Sequence, residues 1–280
     1  MNLNNKKLEI IVEDALKEDL GFVGDITTEN LIADDHESKA ILKFKEKGVL
    51  AGVPVVKKVF EKCDSEISIN FFQKDGDIIE KGENIAEIRG KTSNILKGER
   101  TALNFLQRLS GIATKTAEYV GKIDDSSIRI TDTRKTTPNL RILEKYAVKA
   151  GGGYNHRFGL YDAVMIKDNH IAAAGGIKKA VKKIRAKIPH TVKIEVEVEN
   201  FDQIKEAVNV EADIIMLDNM ELEQMKKAVD YIGDRAIIEA SGGITLENIK
   251  AVSGTGVNII SIGALTHQLK AIDISLDFIG

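Results

Sequence analysis

Three short segments of this chain concentrate side chains that bind anions. Residues 131–138 (TDTRKTTP), 151–157 (GGGYNHR) and 167–170 (KDNH) lie within one stretch of forty residues. Together they supply five cationic or protonatable side chains, which are Arg134, Lys135, His156, Arg157 and Lys167. Guanidinium and ammonium groups bind carboxylates and phosphates through charge-assisted hydrogen bonds. The segments therefore predict a local pocket for a small ligand that carries several acid groups.

Two glycine-containing turns form a second feature, and each turn follows a short apolar run. The turns consist of Ser241, Gly242 and Gly243 and of Ile262, Gly263 and Ala264. We expect the first turn to lead straight into a helix, whose backbone N–H groups and positive dipole end would receive a phosphate. Glycines that merely permit tight turns are the alternative, but this does not account for two such turns at consecutive strand ends. We therefore predict a phosphate site here.

Two carboxylates, Glu197 and Asp218, follow neighbouring apolar runs. Such a pair suits Mg²⁺ that is shared with substrate phosphates, or it stabilises positive charge that develops near an anomeric carbon. The residues alone leave both uses open. Glu195 and Glu199 alternate with Glu197, so either they share its face of the strand or the strand ends before Glu199.

The residues named so far follow the ends of six short apolar runs. The predicted strands are 129–131, 163–166, 192–196, 213–217, 237–240 and 259–262. Glu197, Asp218, Ser241 and Gly263 follow one another at steps of 21, 23 and 22 residues, close to one compact βα repeat. We predict a TIM-like α/β barrel, with fewer than eight strands allowed, whose strand ends converge on one mouth. An open doubly wound sheet is the alternative, but its usual nucleotide fingerprint is absent.

The first hundred residues have a different pattern, which predicts a small α+β domain with helices on one face of an antiparallel sheet. The expected helices are 8–20 and 53–63, and the expected strands are 40–45, 48–52, 67–71 and 84–90. A longer helix is expected over 97–123, with Arg100, Asn104 and Arg108 on a solvated stripe. We place the N-terminal domain at 1–108 and the barrel at 109–280, and we allow the extreme C-terminus to pack back on the first domain.

Residues 75–85 (DGDIIEKGENI) resemble the hammerhead hairpin of biotinyl and lipoyl carrier domains. A carrier domain needs a modified lysine in a Met-Lys-Met or Asp-Lys-Ala tip, and no such tip follows. We interpret the hairpin as structural, and a binding or carrier module is the non-enzymatic alternative that it leaves.

Composition argues against several classes of partner. The chain has 280 residues, 43% of them hydrophobic, and its 40 basic and 43 acidic residues give a net charge of −3. This balance gives no general attraction to nucleic acid or to an anionic membrane, and no apolar run reaches membrane-spanning length. The first five residues lack the apolar core of a signal peptide, and Cys63 is the single cysteine. We therefore expect a cytoplasmic protein.

Taken together, the motifs resemble those of the quinolinate phosphoribosyltransferase family, also called nicotinate-nucleotide pyrophosphorylases (carboxylating). In chain order they are EDLG (18–21), GDITT (24–28), ERTALN (99–104), TRKTTP (133–138), GGGYNHR (151–157), KDNH (167–170), EVEV (195–198), LDN (217–219), SGG (241–243) and GALTH (263–267). The resemblance covers nearly the whole chain, and so many motifs in one order are highly specific.

The resemblance implies transfer of the 5-phosphoribosyl group from phosphoribosyl pyrophosphate to quinolinate. Pyrophosphate and CO₂ would be lost, and the product would be nicotinate mononucleotide for NAD synthesis. The two acid groups of quinolinate would be held by four residues of the cationic set, which are Arg134, His156, Arg157 and Lys167.

The resemblance also implies roles for the remaining motif residues. Thr133 would contribute to substrate binding, and Lys135 would bridge toward the pyrophosphate as a catalytic residue. Glu197 and Asp218 would position Mg²⁺ and the ribose hydroxyls and would stabilise positive charge at C1. The ribose 5-phosphate would lie on the two glycine turns.

In the family, the residue that matches Arg100 reaches into the barrel of the neighbouring subunit. The resemblance therefore implies an obligate homodimer whose active sites are shared across the interface. It does not decide whether dimers assemble into hexamers, and it leaves open the roles of Arg141, Lys149 and His267.

Two other enzymatic interpretations are weighed against this one. A molybdenum-operon relative shares the fold but uses a different acceptor, and the intact cationic set argues against it. A Schiff-base lyase would use Lys135 or Lys167, since strand-end lysines in barrels perform that chemistry. That interpretation leaves the paired turns and the paired carboxylates unexplained.

Overall fold

The computed structural model describes residues 5–279. The described chain divides into two compact units, of which the first contains residues 5–117, 136–152 and 265–279 and the second contains 118–135 and 153–264. The sequence-based boundary between residues 108 and 109 falls inside one continuous helix, Thr92–Val120. Residues 1–4, which belong to the segment used above to argue against a signal peptide, lie outside the described residues.

The first unit combines helices with antiparallel strands. Elements are numbered in chain order, and the helices of this unit are α1 (Asn5–Leu20), α2 (Ile26–Leu31), α3 (Val53–Cys63), α4 (Thr92–Val120) and α5 (Arg141–Ala150). Its strands are β1 (Glu37–Phe44), β2 (Gly48–Val49), β3 (Ser68–Phe71), β4 (Ile78–Ile79), β5 (Asn84–Lys91) and β12 (Ile274–Ile279). The last three residues of α4 belong to the second unit.

The main sheet of the first unit has the strand order β12-β1-β5-β3, and all of its pairs are antiparallel. Ala40, Leu42 and Phe44 alternate along β1 and are fully buried, which is the pattern of a strand with one face in the core. β12 comes from the end of the chain and pairs with β1. Sequence analysis did not predict β12, and it did not predict the short helix α2.

The hairpin at residues 75–85 supports the first unit. β4 pairs with β2 in a small second sheet. Asp75 Oδ1 accepts the backbone N–H groups of Gly52 and Val53 at 3.0 and 3.1 Å, at the beginning of α3. Its other oxygen accepts the Tyr146 hydroxyl from α5. These contacts give the hairpin a structural role, as the sequence interpretation proposed.

The second unit repeats strand and helix. Its strands are β6 (Arg129–Thr131), β7 (Val164–Ile166), β8 (Ile194–Val198), β9 (Ile214–Asp218), β10 (Ile237–Ser241) and β11 (Ile259–Ser261). Its helices are α6 (Asp168–Ala174), α7 (Ile177–Arg185), α8 (Phe201–Asn209), α9 (Leu222–Ile232) and α10 (Ile249–Ser253), and α11 (Ala264–His267) begins on its last residue.

The six strands form one parallel sheet in the order β6-β11-β10-β9-β8-β7. Tyr154, in the segment before β7, adds a parallel bridge to Thr131 of β6. The prediction of an α+β domain and a parallel α/β domain is confirmed, and the hydrogen-bonded sheet of the described chain has six strands rather than eight.

Alternation along β8 explains how this sheet presents carboxylates. Ile194, Val196 and Val198 are fully buried and alternate with Glu195 and Glu197. Successive side chains of a strand point to opposite faces, so the aliphatic residues face α7 and α8 while the two carboxylates share the other face. β8 ends at Val198, which places the exposed Glu199 outside the strand.

Candidate active site

The segment after β6 is tied to the segment around residue 155 by a buried carboxylate. Asp132 has no exposed surface, and it accepts the backbone N–H of His156 at 2.9 Å and the side-chain amide of Asn155 at 2.7 Å. These bonds bring together two of the three anion-binding segments predicted from the sequence. Asp132 was not predicted as a site residue, although an acidic residue between two threonines at a strand end is a usable signal.

The Arg157 guanidinium of the second unit is fixed by neighbouring groups and is subject to the positive charge of Arg134. The Arg157 side chain donates from Nη1 to the Ala163 carbonyl at 3.0 Å and contacts the Met165 sulfur at 3.6 Å. Burial and then the positive charge of Arg134 lower the pKa of the Arg157 guanidinium. Arginine stays charged in proteins, so a folded chain that holds two such groups near each other is suited to bind an anion between them.

Lys167 and Glu197 form an ion pair at the ends of β7 and β8. Lys167 is the N-cap of α6 and exposes 42% of its side chain, whereas Glu197 exposes 12%. The lysine therefore remains accessible to a ligand while its charge is balanced. The third predicted segment, residues 167–170, contributes this lysine.

His156 lies against two carboxylates that sequence analysis did not assign to the site. Its Nε2 is 3.3 Å from Glu195 Oε2 and 3.5 Å from Glu239 Oε1. Its Nδ1 accepts the backbone N–H of Arg157 at 2.8 Å. The strand context was available as a signal, because Glu239 interrupts the apolar run of β10 and Glu195 lies two residues from Glu197.

The pKa values of His156 and Glu195 are both raised, so this cluster keeps a proton to a higher pH than the free side chains would. Burial alone would lower the pKa of His156, but the two carboxylates outweigh burial and raise it to about 10. Burial also raises the pKa of the Glu195 carboxyl. The Arg157 N–H that points at Nδ1 leaves no space for a proton on that atom, so the ring keeps one proton, on Nε2, and the second proton that the raised pKa represents is held by the carboxylate pair.

Glu197 and Asp218 share one face of the sheet. Glu197 aligns with Met216 of β9, so Asp218 lies two residues further along the same face. Asp218 is partly buried and accepts the Asn219 side-chain amide at 2.8 Å. Mg²⁺ that keeps waters and substrate phosphates needs only one or two protein carboxylates, so this donor pair fits the ion.

Among residues 5–279, a set of three possible metal-ligating side chains occurs once, at His156, Glu195 and Glu239. Glu197 and Asp218 do not belong to that set. The predicted magnesium pair and the buried histidine cluster are therefore separate features of the second unit.

The first glycine turn is built as expected around a close backbone approach, but the helix predicted after it is wrong. Gly242 and Gly243 have φ values of +85° and +62°, and the space for a side chain at Gly242 is filled by Asn219. Asn248 accepts the Thr245 N–H and donates to the Gly243 carbonyl, both at 2.8 Å. These local bonds replace helical ones, and α10 begins only at Ile249.

The second glycine turn follows the adjacent strand. Ser241 and Ser261 are partners in the β10–β11 ladder, so the two turns leave the same edge of the sheet side by side. Ile262 is buried and donates its N–H to the Thr131 carbonyl at 2.9 Å, so this N–H is already used within the fold. Gly263 is partly exposed, and Ala264 begins α11.

The remaining predicted residues are placed as follows. Thr133 accepts the Lys135 backbone N–H on its hydroxyl at 3.1 Å, and both Arg134 and Lys135 are exposed. Arg100 is exposed on α4 and belongs to the first unit. Arg134, Lys135, His156, Arg157 and Lys167 belong to the second unit.

The expectation that Arg108 lies on a solvated stripe is wrong. Arg108 donates to the fully buried Glu144 from Nε at 3.0 Å and from Nη2 at 2.6 Å. The same Nη2 donates to the Thr137 hydroxyl at 2.5 Å, and Glu144 accepts the Thr137 N–H at 3.1 Å. Arg108 therefore has a structural partner, while Asn104 on the same helix is exposed.

No helix between residues 5 and 279 has the length and apolar character needed to cross a membrane.

Two family models match this chain. One is described as quinolinate phosphoribosyl transferase, C-terminal domain, and matches residues 112–277. The other is described as quinolinate phosphoribosyl transferase, N-terminal domain, and matches residues 25–110. Together they span most of the chain.

Individual relatives extend this similarity over almost the full length. A probable nicotinate-nucleotide pyrophosphorylase [carboxylating] of Bacillus subtilis is 48% identical over 275 residues, which covers 98% of this chain and 94% of the relative. The chloroplastic nicotinate-nucleotide pyrophosphorylase [carboxylating] of Arabidopsis thaliana is 41% identical, with coverage of 96% and 82%. The crystal structure of NadC from Streptococcus pyogenes superposes with a TM-score of 0.95 at 44% identity, and the match covers 100% of both chains.

Proposed function

This chain belongs to the quinolinate phosphoribosyl transferase family, and we propose that it transfers the 5-phosphoribosyl group of phosphoribosyl pyrophosphate to quinolinate. The reaction loses pyrophosphate and CO₂ and gives nicotinate mononucleotide, a precursor of NAD. The resemblance found in the sequence motifs is confirmed, and with it the assignment to this family of transferases. The residue roles below are our proposal for how this chain performs the reaction.

The fixed guanidinium of Arg157, held by the Ala163 carbonyl at 3.0 Å and the Met165 sulfur at 3.6 Å, is the observation that carries the choice of acceptor. Burial and then repulsion from the positive charge of Arg134 lower the pKa of this group. A planar dicarboxylate such as quinolinate relieves that repulsion, because each guanidinium fork can bind one carboxylate with two parallel hydrogen bonds. The exposed Lys167 adds a third positive group, and we assign His156 to the same acid-binding site.

We assign the phosphoribosyl pyrophosphate to the other half of the second unit. The 5-phosphate lies on the two glycine turns, residues 241–243 and 262–264, with backbone N–H groups other than that of Ile262 as donors, because glycines let the chain approach a phosphate closely. Lys135 meets the pyrophosphate as a mobile point charge, and Thr133 orders the turn that carries it.

Glu197 and Asp218 act on the ribose. Their carboxylates accept hydrogen bonds from the ribose hydroxyls and stabilise the positive charge that develops at C1. Glu197 and Asp218 also hold Mg²⁺, which neutralises charge on the pyrophosphate when it is bound. Lys167 orients the Glu197 carboxylate through their ion pair.

The bond changes require no protein nucleophile. The lone pair of the quinolinate ring nitrogen attacks C1 of the ribose, and the C1–O bond breaks as pyrophosphate leaves. The resulting pyridinium is an electron sink, so the bond between C2 and its carboxylate can break toward the ring. CO₂ departs, and C2 then takes a proton from water. The protein supplies positioning and electrostatic stabilisation.

We further propose a homodimer in which Arg100 of one subunit completes the acid-binding site of the other. The exposure of Arg100 on α4 supports this role, because no described contact within its own chain holds the guanidinium. A hexamer would be an assembly of such dimers. We retain the cytoplasm as the proposed location, on the grounds of composition and the single cysteine.

The direct test is the fall in quinolinate absorbance with purified protein, phosphoribosyl pyrophosphate and Mg²⁺, with nicotinate replacing quinolinate in a parallel cuvette. We expect product from quinolinate and none from nicotinate, because nicotinate lacks the carboxylate that leaves. Turnover of nicotinate alone, or of neither acid, would overturn the proposed acceptor. Borohydride trapping during turnover should give no protein adduct, since a Schiff base is not part of the reaction.

A further inference from the structure

The imidazole of His156 is fixed at both ring nitrogens. Nδ1 accepts the Arg157 backbone N–H at 2.8 Å. Nε2 lies 3.3 Å from one carboxylate and 3.5 Å from another, those of Glu195 and Glu239. The backbone N–H of His156 is bound to Asp132 at 2.9 Å. A ring held in this way has little freedom to turn toward a ligand.

The burial of the two carboxylates lowers the stability of the fold. Glu195 and Glu239 expose 3% and 1% of their surfaces. Within the described part of the chain, Glu195 Oε1 and Glu239 Oε1 have no hydrogen-bond partner. Burying a carboxylate with an unsatisfied oxygen costs stability, and an apolar residue would be the more stable choice at such a position. A functional reason for these two residues is therefore needed.

Arg157 is where the cluster meets the acid-binding site. Its backbone is fixed through Nδ1 of His156, and its guanidinium is fixed by Ala163 and Met165. Met165 is the ladder partner of Glu195, and the negative charge of Glu195 acts on the Arg157 guanidinium against the repulsion from Arg134. The cluster therefore fixes the backbone of Arg157 through His156 and acts electrostatically on its guanidinium through Glu195.

We propose that Glu239 and Glu195 are positioning residues of the acid-binding site, which act through the His156 imidazole to hold Arg157 in place for the acceptor acid. This inference rests on the proposed function and refines the role of His156. Sequence analysis predicted that His156 binds the ligand directly as one of five cationic side chains. In the structure, it connects two buried carboxylates to the arginine that binds the ligand.

Glu239→Gln is the informative substitution, because Glu239 is far in sequence from the proposed magnesium pair and keeps its shape as glutamine. We expect KM for quinolinate to rise about tenfold, because the amide removes the negative charge that faces Nε2 at 3.5 Å, while KM for phosphoribosyl pyrophosphate stays within about twofold. Ser261→Ala is the matched control. Ser261 is buried and lies on the neighbouring strand, and its hydroxyl has no hydrogen-bond partner among residues 5–279, but it is no part of the His156 contacts. We expect it to leave both KM values unchanged.

The outcomes separate positioning from general damage. An equal rise in both KM values, or an unchanged KM for quinolinate, would overturn the inference, and thermal melting of each variant shows whether it is folded. A divalent metal that remains bound after chelation and is lost in Glu239→Gln would also overturn it, because the cluster would then be a metal site.

A second readout does not depend on turnover. In ¹⁵N-histidine NMR spectra of the wild type, with the signal assigned from His156→Gln, we expect Nδ1 to be unprotonated and Nε2 protonated throughout the neutral range. The charged or titratable groups that face the ring are Asp132, Arg157, Glu195 and Glu239. A ring that loses or gains a proton on Nδ1 near pH 6.5, the value of a free histidine, would refute the inference even if quinolinate is not the substrate. Wild-type protein that leaves quinolinate unchanged but retains the fixed ring would instead refute the proposed function alone.

Discussion

The side-chain oxygen of Asn219 occupies the space that a Cβ atom would need at Gly242. Asn219 also donates its backbone N–H to the Ser241 carbonyl at 2.9 Å, so it holds the first phosphate turn from two sides. The end of β9 therefore shapes the turn that follows β10. This contact gives a direct test of the phosphate assignment.

Gly242→Ala should move the turn, since neither Asn219 nor the left-handed backbone at φ +85° accommodates a methyl group. We expect KM for phosphoribosyl pyrophosphate to rise at least about tenfold, because a displacement near one ångström misaligns the phosphate donors. Gly243→Ala is the comparison, since its φ of +62° is also left-handed but the space around it is open. It should raise KM by less than about threefold, from roughly 1 kcal/mol of backbone strain. Equal effects of the two substitutions would contradict the close-approach argument.

Arg108→Ala should destabilise the first unit, because it leaves the fully buried Glu144 without its cation. Removing one partner of a buried pair lowers the free energy of unfolding by about 3 kcal/mol. Asn104→Ala, at an exposed position on the same helix, should change it by less than about 0.5 kcal/mol. Urea unfolding of both variants is the measurement. If Arg108→Ala lowers the free energy of unfolding no more than Asn104→Ala does, Arg108 is a solvated residue, as the sequence suggested.

The pH dependence of stability should report the Asp75 carboxyl. Burial raises its pKa in the folded protein. A raised folded pKa means that the stability it contributes is fully present below the unfolded value of about 3.9 and is lost as pH rises through the folded value. The unfolding free energy of wild type minus that of Asp75→Asn should therefore fall between about pH 4 and neutrality.

Tyr146→Phe should give the opposite slope. The Tyr146 hydroxyl donates to Asp75 and lowers its pKa, so the bond favours the ionised form. The advantage of wild type over Tyr146→Phe should therefore grow as pH rises over the same range. Urea midpoints at a series of pH values measure both slopes, and slopes of the same sign would contradict the assignment.

The strand-end residues could be predicted from the sequence because each follows a β-branched run whose length and polar end are visible locally. Lys167, Asp218 and Ser241 lie at strand ends for this reason. The two glycine turns were visible in the same way, as glycines after two consecutive runs, and their role in phosphate binding stays a prediction.

The histidine cluster could not be predicted, because it depends on register between strands. Glu195 and Glu239 meet at His156 only because β8 and β10 are aligned through β9, and no local pattern specifies that alignment. The prediction that Arg108 is solvated was wrong for a related reason, since its partner Glu144 is 36 positions away in the chain. The prediction of a helix directly after Gly243 was wrong because the side chains of Asn248 and Thr245 accept backbone N–H groups and so compete with helical hydrogen bonds.

Arg100 gives the sharpest test of the proposed homodimer. Arg100→Ala should abolish most quinolinate turnover, with a fall in kcat/KM of about a hundredfold for loss of a guanidinium–carboxylate clamp, and the exposed side chain predicts an unchanged melting temperature. Lys135→Ala should also be inactive, because we assign Lys135 to the pyrophosphate. Neither loss alone reveals which subunit uses Arg100.

Mixed dimers of the two inactive variants decide that question. If Arg100 serves the partner subunit, the Arg100→Ala barrel keeps Lys135 and receives an intact Arg100 from the other chain, so each mixed dimer has one complete site. In a randomly assorted twofold dimer, the co-expressed mixture should then show about a quarter of the wild-type activity, and the mixed dimers isolated through two affinity tags should show about half. If Arg100 acted within its own chain, every site would lack one of the two residues and the mixture would stay inactive. Restored activity thus requires a site shared between subunits, and its absence in purified mixed dimers would remove the proposed role of Arg100.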